Sequence, residues 1–301
     1  MRTVYLGTSE FAVAVLRRLA ASPHKPSLVV TPPDRRKGRG RRASPPPAAE
    51  AATELGIELL QAESVSDGPA LERIRAAEPE LALVCAFGQL IREPLLDELP
   101  MLNVHPSLLP RWRGAAPIER AIMAGDERTG VCVMQVTAGL DAGPVAACEE
   151  VAIEPEDDFG TLSERLAARG GELLVAALDR QAAGELELEE QDDEAATYAE
   201  KIESAERALD PVRPAAELAR TVRALTPHVG AFLETADGGR LGVRRARAVD
   251  VGVRAGELKA EWGALLLGCA RGTLRLDVVQ PAGGKPMAAD AYLRGHSVPK
   301  L

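Results

Sequence analysis

Apolar runs and helical patterns alternate along the first 150 residues of this 301-residue chain, and no other feature constrains the fold as strongly. Helical patterns of about 10–20 residues separate successive runs. The strand-like runs span residues 3–6, 27–31, 81–87, 102–105 and 130–136. This alternation predicts βαβ units, in which helices cover both faces of a mainly parallel sheet. We therefore expect an α/β domain with an open, doubly wound sheet.

The remainder of the chain divides at a strongly acidic segment, residues 184–206, which is poor in large apolar side chains. We interpret this segment as a solvated linker. Short β-like runs punctuated by glycines follow between residues 230 and 280, and they favour a small antiparallel sheet or barrel. The predicted organisation is a first domain over residues 1–183, a linker over 184–206 and a β domain over 207–301.

The distribution of charge is more informative than the net charge of −9. Residues 1–206 hold 21 Lys and Arg against 36 Asp and Glu, whereas residues 207–301 hold 15 against 9. This asymmetry favours a C-terminal part that faces a polyanion, and a solvated basic surface is the alternative.

Cysteine and histidine usage excludes several classes of protein. The four cysteines are dispersed without a C-x-x-C pair, and the four histidines are dispersed too. This argues against a disulfide scaffold, a zinc knuckle and a histidine-rich metal centre, and it suits a cytoplasmic location. Cys85 and Cys132 are interpreted as core residues. No apolar run is long enough to span a membrane, and the N-terminus lacks the layout of a signal peptide.

Asn103 and His105 stand two residues apart at the end of a predicted buried strand. Side chains two apart on a strand share a face, and Pro106 restricts His105 to an extended backbone. Ligands of open parallel sheets bind outside the carboxyl ends of the strands. An amide that can donate to an oxyanion, beside an imidazole that can exchange a proton, suits acyl-type transfer. The alternative is a buried histidine satisfied by neighbouring backbone.

Asp141 lies between Gly139 and Gly143, in a loop that follows the predicted strand at residues 130–136. Glycines allow a backbone to approach a ligand closely. We expect the carboxylate to converge on the crevice of His105 and to orient the imidazole. The alternative is that Asp141 only closes a turn.

Six cationic side chains fall within eight residues of a tract that contains two glycines. They are Arg35, Arg36, Lys37, Arg39, Arg41 and Arg42. None of them can enter a core, so their predicted use is neutralisation of nucleic-acid phosphates by a flexible loop. The alternative is a disordered, solvated loop.

Residues 103–110 resemble the signature of the 10-formyltetrahydrofolate-dependent formyltransferases, and residues 139–143 resemble the second motif of that family. Residues 33–40, 197–202 and 280–287 are similar to members that act on charged initiator tRNA. The resemblance covers essentially the whole chain. It implies a Rossmann-like catalytic domain and a C-terminal barrel of the OB type.

The resemblance also implies an activity and its site residues. A formyl group would move from 10-formyltetrahydrofolate to the α-amino group of methionine on initiator tRNA, without a metal ion. Asn103, His105 and Asp141 would form the catalytic trio, and Arg39 would meet the acceptor stem of the tRNA. The folate would lie along two segments, which consist of Ser107, Leu108, Leu109 and Pro110, and of Phe87, Gly88, Gln89 and Leu90.

Initiator methionyl-tRNA is thus the expected partner, with no membrane and no obligate protein partner evident. One alternative is formyl transfer to a small amine, such as a sugar nucleotide or glycinamide ribonucleotide. Another is a noncatalytic RNA-binding protein that keeps the fold. A nicotinamide oxidoreductase is disfavoured because the loop after the first strand lacks a G-x-G-x-x-G fingerprint.

Overall fold

The computed structural model describes residues 1–37 and 42–301, and these residues divide into two compact units. Unit 1 consists of Met1–Gly114, Arg128–Ala152 and Ser163–Tyr198. Unit 2 consists of Ala115–Glu127, Ile153–Leu162 and Ala199–Leu301. Each unit is therefore assembled from separate stretches of the chain. The predicted boundaries at residues 183 and 206 stay a prediction.

The elements are numbered in chain order. The strands up to residue 199 are β1 (Thr3–Gly7), β2 (Leu28–Thr31), β3 (Arg35–Lys37), β4 (Arg42–Ser44), β5 (Glu58–Gln61), β6 (Leu81–Cys85), β7 (Met101–His105), β8 (Arg113–Gly114), β9 (Arg128–Gln135), β10 (Val145–Ala152) and β11 (Tyr198–Ala199). The helices over the same stretch are α1 (Glu10–Ala20), α2 (Pro47–Glu54), α3 (Gly68–Ala76), α4 (Leu95–Glu98), α5 (Pro117–Ala124) and α6 (Phe159–Ala183). The later elements are α7 (Ala215–Leu225), β12 (Ala231–Glu234), β13 (Arg240–Val249), β14 (Leu258–Glu261), β15 (Ala264–Gly268), β16 (Thr273–Gln280), β17 (Met287–Ala288) and α8 (Ala289–Gly295). Short 3-10 helices occur at Asp193–Ala195 and Ala205–Arg207.

Within the described residues, unit 1 contains a seven-stranded sheet in the order β10-β9-β7-β6-β1-β2-β5. Strands β1, β2, β5, β6 and β7 run parallel, whereas β9 is antiparallel to β7 and β10 is antiparallel to β9. The mainly parallel, doubly wound sheet predicted from the sequence is confirmed. The strand order reverses direction at β1, because β2 and β5 lie on one side of it and β6 and β7 lie on the other.

Helices cover both faces of this sheet, as the buried strand β1 illustrates. Val4 and Leu6 belong to one core cluster with Leu71 of α3. The intervening Tyr5 points to the opposite face, where its hydroxyl donates a 2.7 Å hydrogen bond to the carbonyl oxygen of Ala12 in α1. All five residues of β1 are buried, which is typical of a strand covered on both sides.

Helix α6 packs closely on the sheet at Gly170. A β-carbon at this glycine would lie 2.7 Å from Cγ1 of Val104 on β7 and 3.0 Å from Cγ2 of Val131 on β9. Because those distances are shorter than a van der Waals contact, the missing side chain lets the helix backbone approach the strands. Neither α6 nor another helix in the described ranges is long and apolar enough to cross a membrane.

Unit 2 is built on an antiparallel sheet with six strands among its described residues, in the order β12-β13-β16-β15-β14 and with β17 paired to β16. Helix α7 buries Leu218, Val222 and Leu225, whose spacing places them on one face of a helix. They share a core cluster with residues of β15 and β16. The predicted antiparallel β domain is confirmed.

The flanks of the basic tract form strands. Residues Arg35–Lys37 of β3 pair antiparallel with Arg42–Ser44 of β4. The prediction of a flexible loop is therefore wrong for these flanks, because backbone hydrogen bonds between the two arms fix them. Arg39 and Arg41 lie outside the described residues, so the prediction for their side chains stays a prediction.

The cysteines of the antiparallel strands correct one interpretation. Cys132 on β9 lies directly opposite Cys148 on β10, with the Cα atoms 4.1 Å apart, and the two form a disulfide. Cys132 is fully buried but is more than a core residue. Cys85 is fully buried and free, as interpreted, and Cys269 is the second free and buried cysteine in the described part of the chain.

We expect Gly170→Val to lower the free energy of unfolding by about 1–3 kcal/mol, because the added carbons overpack the contact between α6 and the sheet. Thermal denaturation followed by circular dichroism measures this change. Ala168→Val places the same side chain on the exposed face of α6 and is the matched control. Equal melting temperatures for the two variants would contradict close packing at Gly170.

Alkylation with iodoacetamide tests the cysteine assignments. In denaturant without reductant, we expect two of the four cysteines to be alkylated, whereas reductant exposes all four.

In the native protein near pH 8, we expect Cys85 to stay unlabelled, because burial raises the pKa of its thiol to about 12 and the thiolate is the nucleophile. Burial raises the pKa of Cys269 as well. Intact mass spectrometry counts the adducts, and four adducts without reductant would rule out the disulfide.

Candidate functional site

The candidate site lies at the carboxyl edge of the parallel strands in unit 1. Strands β1, β6 and β7 are neighbours in the sheet, so their carboxyl ends line one edge. The hydroxyl of Thr8, which follows β1, donates a 2.5 Å hydrogen bond to the carbonyl oxygen of Phe87, which follows β6. Ligands of doubly wound sheets bind at such an edge, where the strand order reverses.

His105 is the last residue of β7 and is only 4% exposed. Its Nε2 lies 2.9 Å from the carbonyl oxygen of Trp112, and its Nδ1 lies 3.6 Å from Oδ2 of Asp141. A carbonyl oxygen only accepts hydrogen bonds, so we infer that Nε2 carries a hydrogen atom. Nδ1 is then the nitrogen that can take up a proton, and it faces the carboxylate.

Asp141 lies beside His105 and has a strained backbone conformation. Its φ angle of +47° lies in the left-handed region, which is costly for a residue with a side chain. The backbone N–H of Gly114 donates a 2.9 Å hydrogen bond to Oδ2 of Asp141. Gly143 leaves no room for a β-carbon because the carbonyl oxygen of Gln135 occupies that position. The structure thus brings the predicted carboxylate to the histidine.

Asn103 lies on β7 with Val84 of β6 on one side and Met134 of β9 on the other. It is half-buried and shares a face of the sheet with His105, as expected for side chains two residues apart. The site therefore combines an amide donor, an imidazole that can accept a proton and a carboxylate. In the described part of the chain, no group of three or more His, Cys, Asp and Glu side chains could hold a metal ion.

The predicted folate-binding loop after β7 is only partly accessible. Ser107 is fully buried, and its hydroxyl donates a 2.6 Å hydrogen bond to the carbonyl oxygen of Arg111. The side chain of Leu108 packs at Gly130 of β9. Leu109 and Pro110, which are joined by a cis peptide bond, are half-buried. Ser107 and Leu108 therefore shape the loop, and the last two residues offer surface to a ligand.

The second predicted folate-binding segment has one buried and one exposed end. Phe87 is 3% exposed, whereas Leu90 is 70% exposed, and Gly88 between them has a φ angle of +74°. Gln89 donates through Nε2 to the carbonyl oxygen of Ala62 at 2.7 Å. Its buried Oε1 has no hydrogen-bond partner among the described residues. This oxygen can accept a hydrogen bond from a ligand.

Gln191, which was not predicted from the sequence, lies in the segment interpreted as a solvated linker. Its side-chain Nε2 donates to the carbonyl oxygens of Asp141 and Gly143 at 2.9 and 2.7 Å. Its Oε1 accepts a 3.0 Å hydrogen bond from Nε of Arg113. No periodicity or motif marks this residue, because it acts on backbone atoms that are distant in sequence.

Comparisons with family models match two separate regions of the chain. A family model described as formyl transferase matches residues 1–178, and one described as the formyl transferase C-terminal domain matches residues 201–297. The chain is 44% identical over 298 residues to a methionyl-tRNA formyltransferase of Halorhodospira halophila, with 98% of this chain and 96% of the relative covered. It is 42% identical over 302 residues to the methionyl-tRNA formyltransferase of Methylococcus capsulatus, with 99% and 98% covered.

Solved structures share the fold at lower sequence identity. HypX from Aquifex aeolicus in complex with tetrahydrofolic acid has a TM-score of 0.66 at 17% identity, over 100% of this chain and 49% of that chain. Methionyl-tRNA formyltransferase from Clostridium thermocellum has a TM-score of 0.58 at 14% identity, over 87% and 97%. With the whole-length relatives and both family models in agreement, the chain belongs to the formyl transferase family.

Proposed function

We propose that this protein transfers the formyl group of 10-formyltetrahydrofolate to the α-amino group of methionine on initiator tRNA, which allows translation to start with formylmethionine. The observation that carries the proposal is the approach of His105 to Asp141, 3.6 Å apart, on the face of the sheet edge that also presents Asn103. The names of the relatives at 44% and 42% identity support the acceptor.

His105 handles the proton of the attacking amine. The amine must lose a proton as it attacks, and an imidazole within hydrogen-bond reach can accept it. Since Nε2 is engaged with the carbonyl oxygen of Trp112, Nδ1 is the accepting atom. The charge that the imidazole gains is compensated by the carboxylate of Asp141. Asp141 thereby stabilises the protonated ring and holds its orientation.

Asn103 stabilises the oxygen on which negative charge develops. When the acceptor amine attacks, the carbonyl oxygen of the formyl group becomes an oxyanion, and a fixed amide donor lowers the free energy of that state. The side chain of Asn103 can supply this donor because it shares a face with His105. The amide and the imidazole can therefore act on one carbon atom from neighbouring positions of β7.

The residues at the sheet edge fit a folate. Bound 10-formyltetrahydrofolate would supply the formyl carbon that the amine attacks. As the C–N10 bond breaks, the proton that His105 has accepted from the amine would pass to N10, the leaving nitrogen. The unpartnered Oε1 of Gln89 can accept from an N–H of the pterin, and Leu90, Leu109 and Pro110 offer apolar surface. The tetrahydrofolate in a protein of the same fold supports this assignment.

Charge supports initiator tRNA as the macromolecular substrate. Residues 207–301 hold 15 Lys and Arg against 9 Asp and Glu, although the whole chain is acidic. Arg35 of the basic tract is exposed on β3. Cationic side chains that neutralise phosphates supply most of the sequence-independent affinity for nucleic acids. A cytoplasmic location stays a prediction.

We expect Asn103→Ala and His105→Ala each to lower kcat for formyl transfer to methionyl initiator tRNA by about 100-fold or more, since each removes a group that acts in the transition state. A single-turnover assay with 10-formyltetrahydrofolate measures this. Folate affinity, measured by fluorescence titration, should change by less than about threefold, because neither side chain is needed to bind the pterin.

His24→Ala is the matched control for the histidine variant. His24 is also buried, at 8% exposed, and pairs with Asp179 in unit 1, but it lies outside the site. We expect its kcat to stay within about twofold of the parent.

Efficient transfer by the parent to a sugar nucleotide or glycinamide ribonucleotide, and none to the charged tRNA, would replace the proposed acceptor with a small amine. Full activity of His105→Ala would refute the proposed chemistry.

We expect Arg39→Ala to raise KM for the tRNA severalfold with little change in kcat, because the residue is predicted to contact a phosphate rather than the reacting atoms. A plot of log kcat/KM against log salt concentration has a negative slope, and the magnitude of this slope should decrease by about one unit, as for the loss of one phosphate contact. Arg2→Ala, at an exposed arginine paired with Glu78, is the control. Identical salt dependence of the two variants would argue against docking by the basic tract.

A further inference from the structure

Residues 189–197, which we name the strap, are hydrogen-bonded at each end to a different part of the candidate site. At one end, Glu189 exchanges two backbone hydrogen bonds with Val145, the first residue of β10, at 2.7 and 2.9 Å. At the other end, the hydroxyl oxygen of Thr197 accepts a 2.9 Å hydrogen bond from the backbone N–H of Trp112. The strap therefore connects the residue whose carbonyl holds the imidazole to the strand that follows the carboxylate.

Gln191 makes the contact between the strap and the loop of Asp141. Its Nε2 donates to the carbonyl oxygens of Asp141 and Gly143, and its Oε1 accepts from Nε of Arg113. The orientation of the amide follows from these partners, because a carbonyl oxygen can only accept and a guanidinium can only donate. With both ends of the amide engaged, its position is determined.

Arg113 anchors the strap through hydrogen bonds to two of its side chains. Its side chain is only 3% exposed, and a buried guanidinium is costly unless its N–H groups find acceptors. Oε1 of Gln191 accepts from Nε at 3.0 Å, and Oδ1 of Asp193 accepts from a terminal nitrogen at 2.7 Å. Both acceptors belong to the strap. Burial of Arg113 thus fixes the strap at the level of Gln191.

The loop of Asp141, to which Gln191 is hydrogen-bonded, has a conformation that must be stabilised by surrounding contacts. Asp141 has a φ angle of +47°, and such a conformation persists only where surrounding contacts determine it. The backbone N–H of Gly114 donates to Oδ2 of the Asp141 carboxylate. Gln191 instead holds the backbone of the loop, by donating to the carbonyl oxygens of Asp141 and Gly143. Those three hydrogen bonds set where the carboxylate stands relative to the Nδ1 of His105.

We propose that Gln191 is a positioning residue for the reaction: by binding the carbonyl oxygens of residues 141 and 143, it sets the separation between the Asp141 carboxylate and the His105 imidazole. This inference rests on the proposed function. Gln191 acts through Asp141, so it affects turnover rather than substrate affinity. The segment interpreted as a solvated linker then contributes to the active site.

Gln191→Leu tests the inference, because it keeps the volume of the side chain but removes the donor and the acceptor. We expect kcat with methionyl initiator tRNA to fall about ten- to a hundredfold, as for a displacement of a reacting group by about 1 Å. KM for both substrates should stay within about threefold. Gln191→Glu keeps an acceptor for Arg113 but loses both donors, and we expect a similar fall in kcat. Gln181→Leu, at an exposed glutamine of α6, is the matched control and should keep the kcat of the parent.

A double-mutant cycle with Asp141→Ala separates positioning from a general structural effect. If Gln191 acts through the carboxylate, Gln191→Leu should lower the residual single-turnover rate of Asp141→Ala by less than about twofold. An equal loss in both backgrounds, or a kcat of Gln191→Leu equal to that of Gln181→Leu, would overturn the inference while the proposed function stands. Absence of formyl transfer by the parent protein would overturn both.

Discussion

A buried imidazole must find partners for its ring nitrogens, and His105 finds one in the carbonyl oxygen of Trp112, 2.9 Å from Nε2. That hydrogen bond decides which nitrogen is free for proton transfer. It also requires the chain after β7 to turn back on itself within seven residues. Burial of Ser107 and its hydrogen bond to Arg111 stabilise this turn from inside. The rest of the site is arranged around the remaining nitrogen.

Several strained backbone positions lie in and beside the candidate site. Of the five residues other than glycine described with positive φ angles, three lie here: Ala86 follows β6, Trp112 provides the carbonyl for His105, and Asp141 provides the carboxylate. The other two, Glu78 and Trp262, lie elsewhere. Such conformations cost free energy, and natural proteins keep them mainly where a precise geometry is needed. Thr197 and Gln191 hydrogen-bond the backbone of Trp112 and Asp141, and Thr8 hydrogen-bonds the carbonyl oxygen of Phe87, the residue after Ala86. Three of the five strained positions thus belong to the candidate site or adjoin it.

Much of the fold and part of the site could be predicted from local patterns. Alternation of apolar runs with helices gives the parallel sheet, and the spacing of Asn103 and His105 places both on one face of β7. The pairing of Cys132 with Cys148 could not be predicted, because it depends on the register of two antiparallel strands. The role of Gln191 could not be predicted for a similar reason. Its partners are backbone carbonyl oxygens, which every residue has, so no sequence pattern marks them.

The strap has a consequence for association between molecules. Strand β10 ends the sheet, and the outer edge of a terminal strand presents backbone groups that can pair with a strand of another chain. Where β10 begins, Glu189 already occupies both the N–H and the carbonyl of Val145. A foreign strand could pair there only after displacing this bridge. The same strap that carries Gln191 therefore also blocks intermolecular β-pairing at Val145, the first residue of this terminal strand.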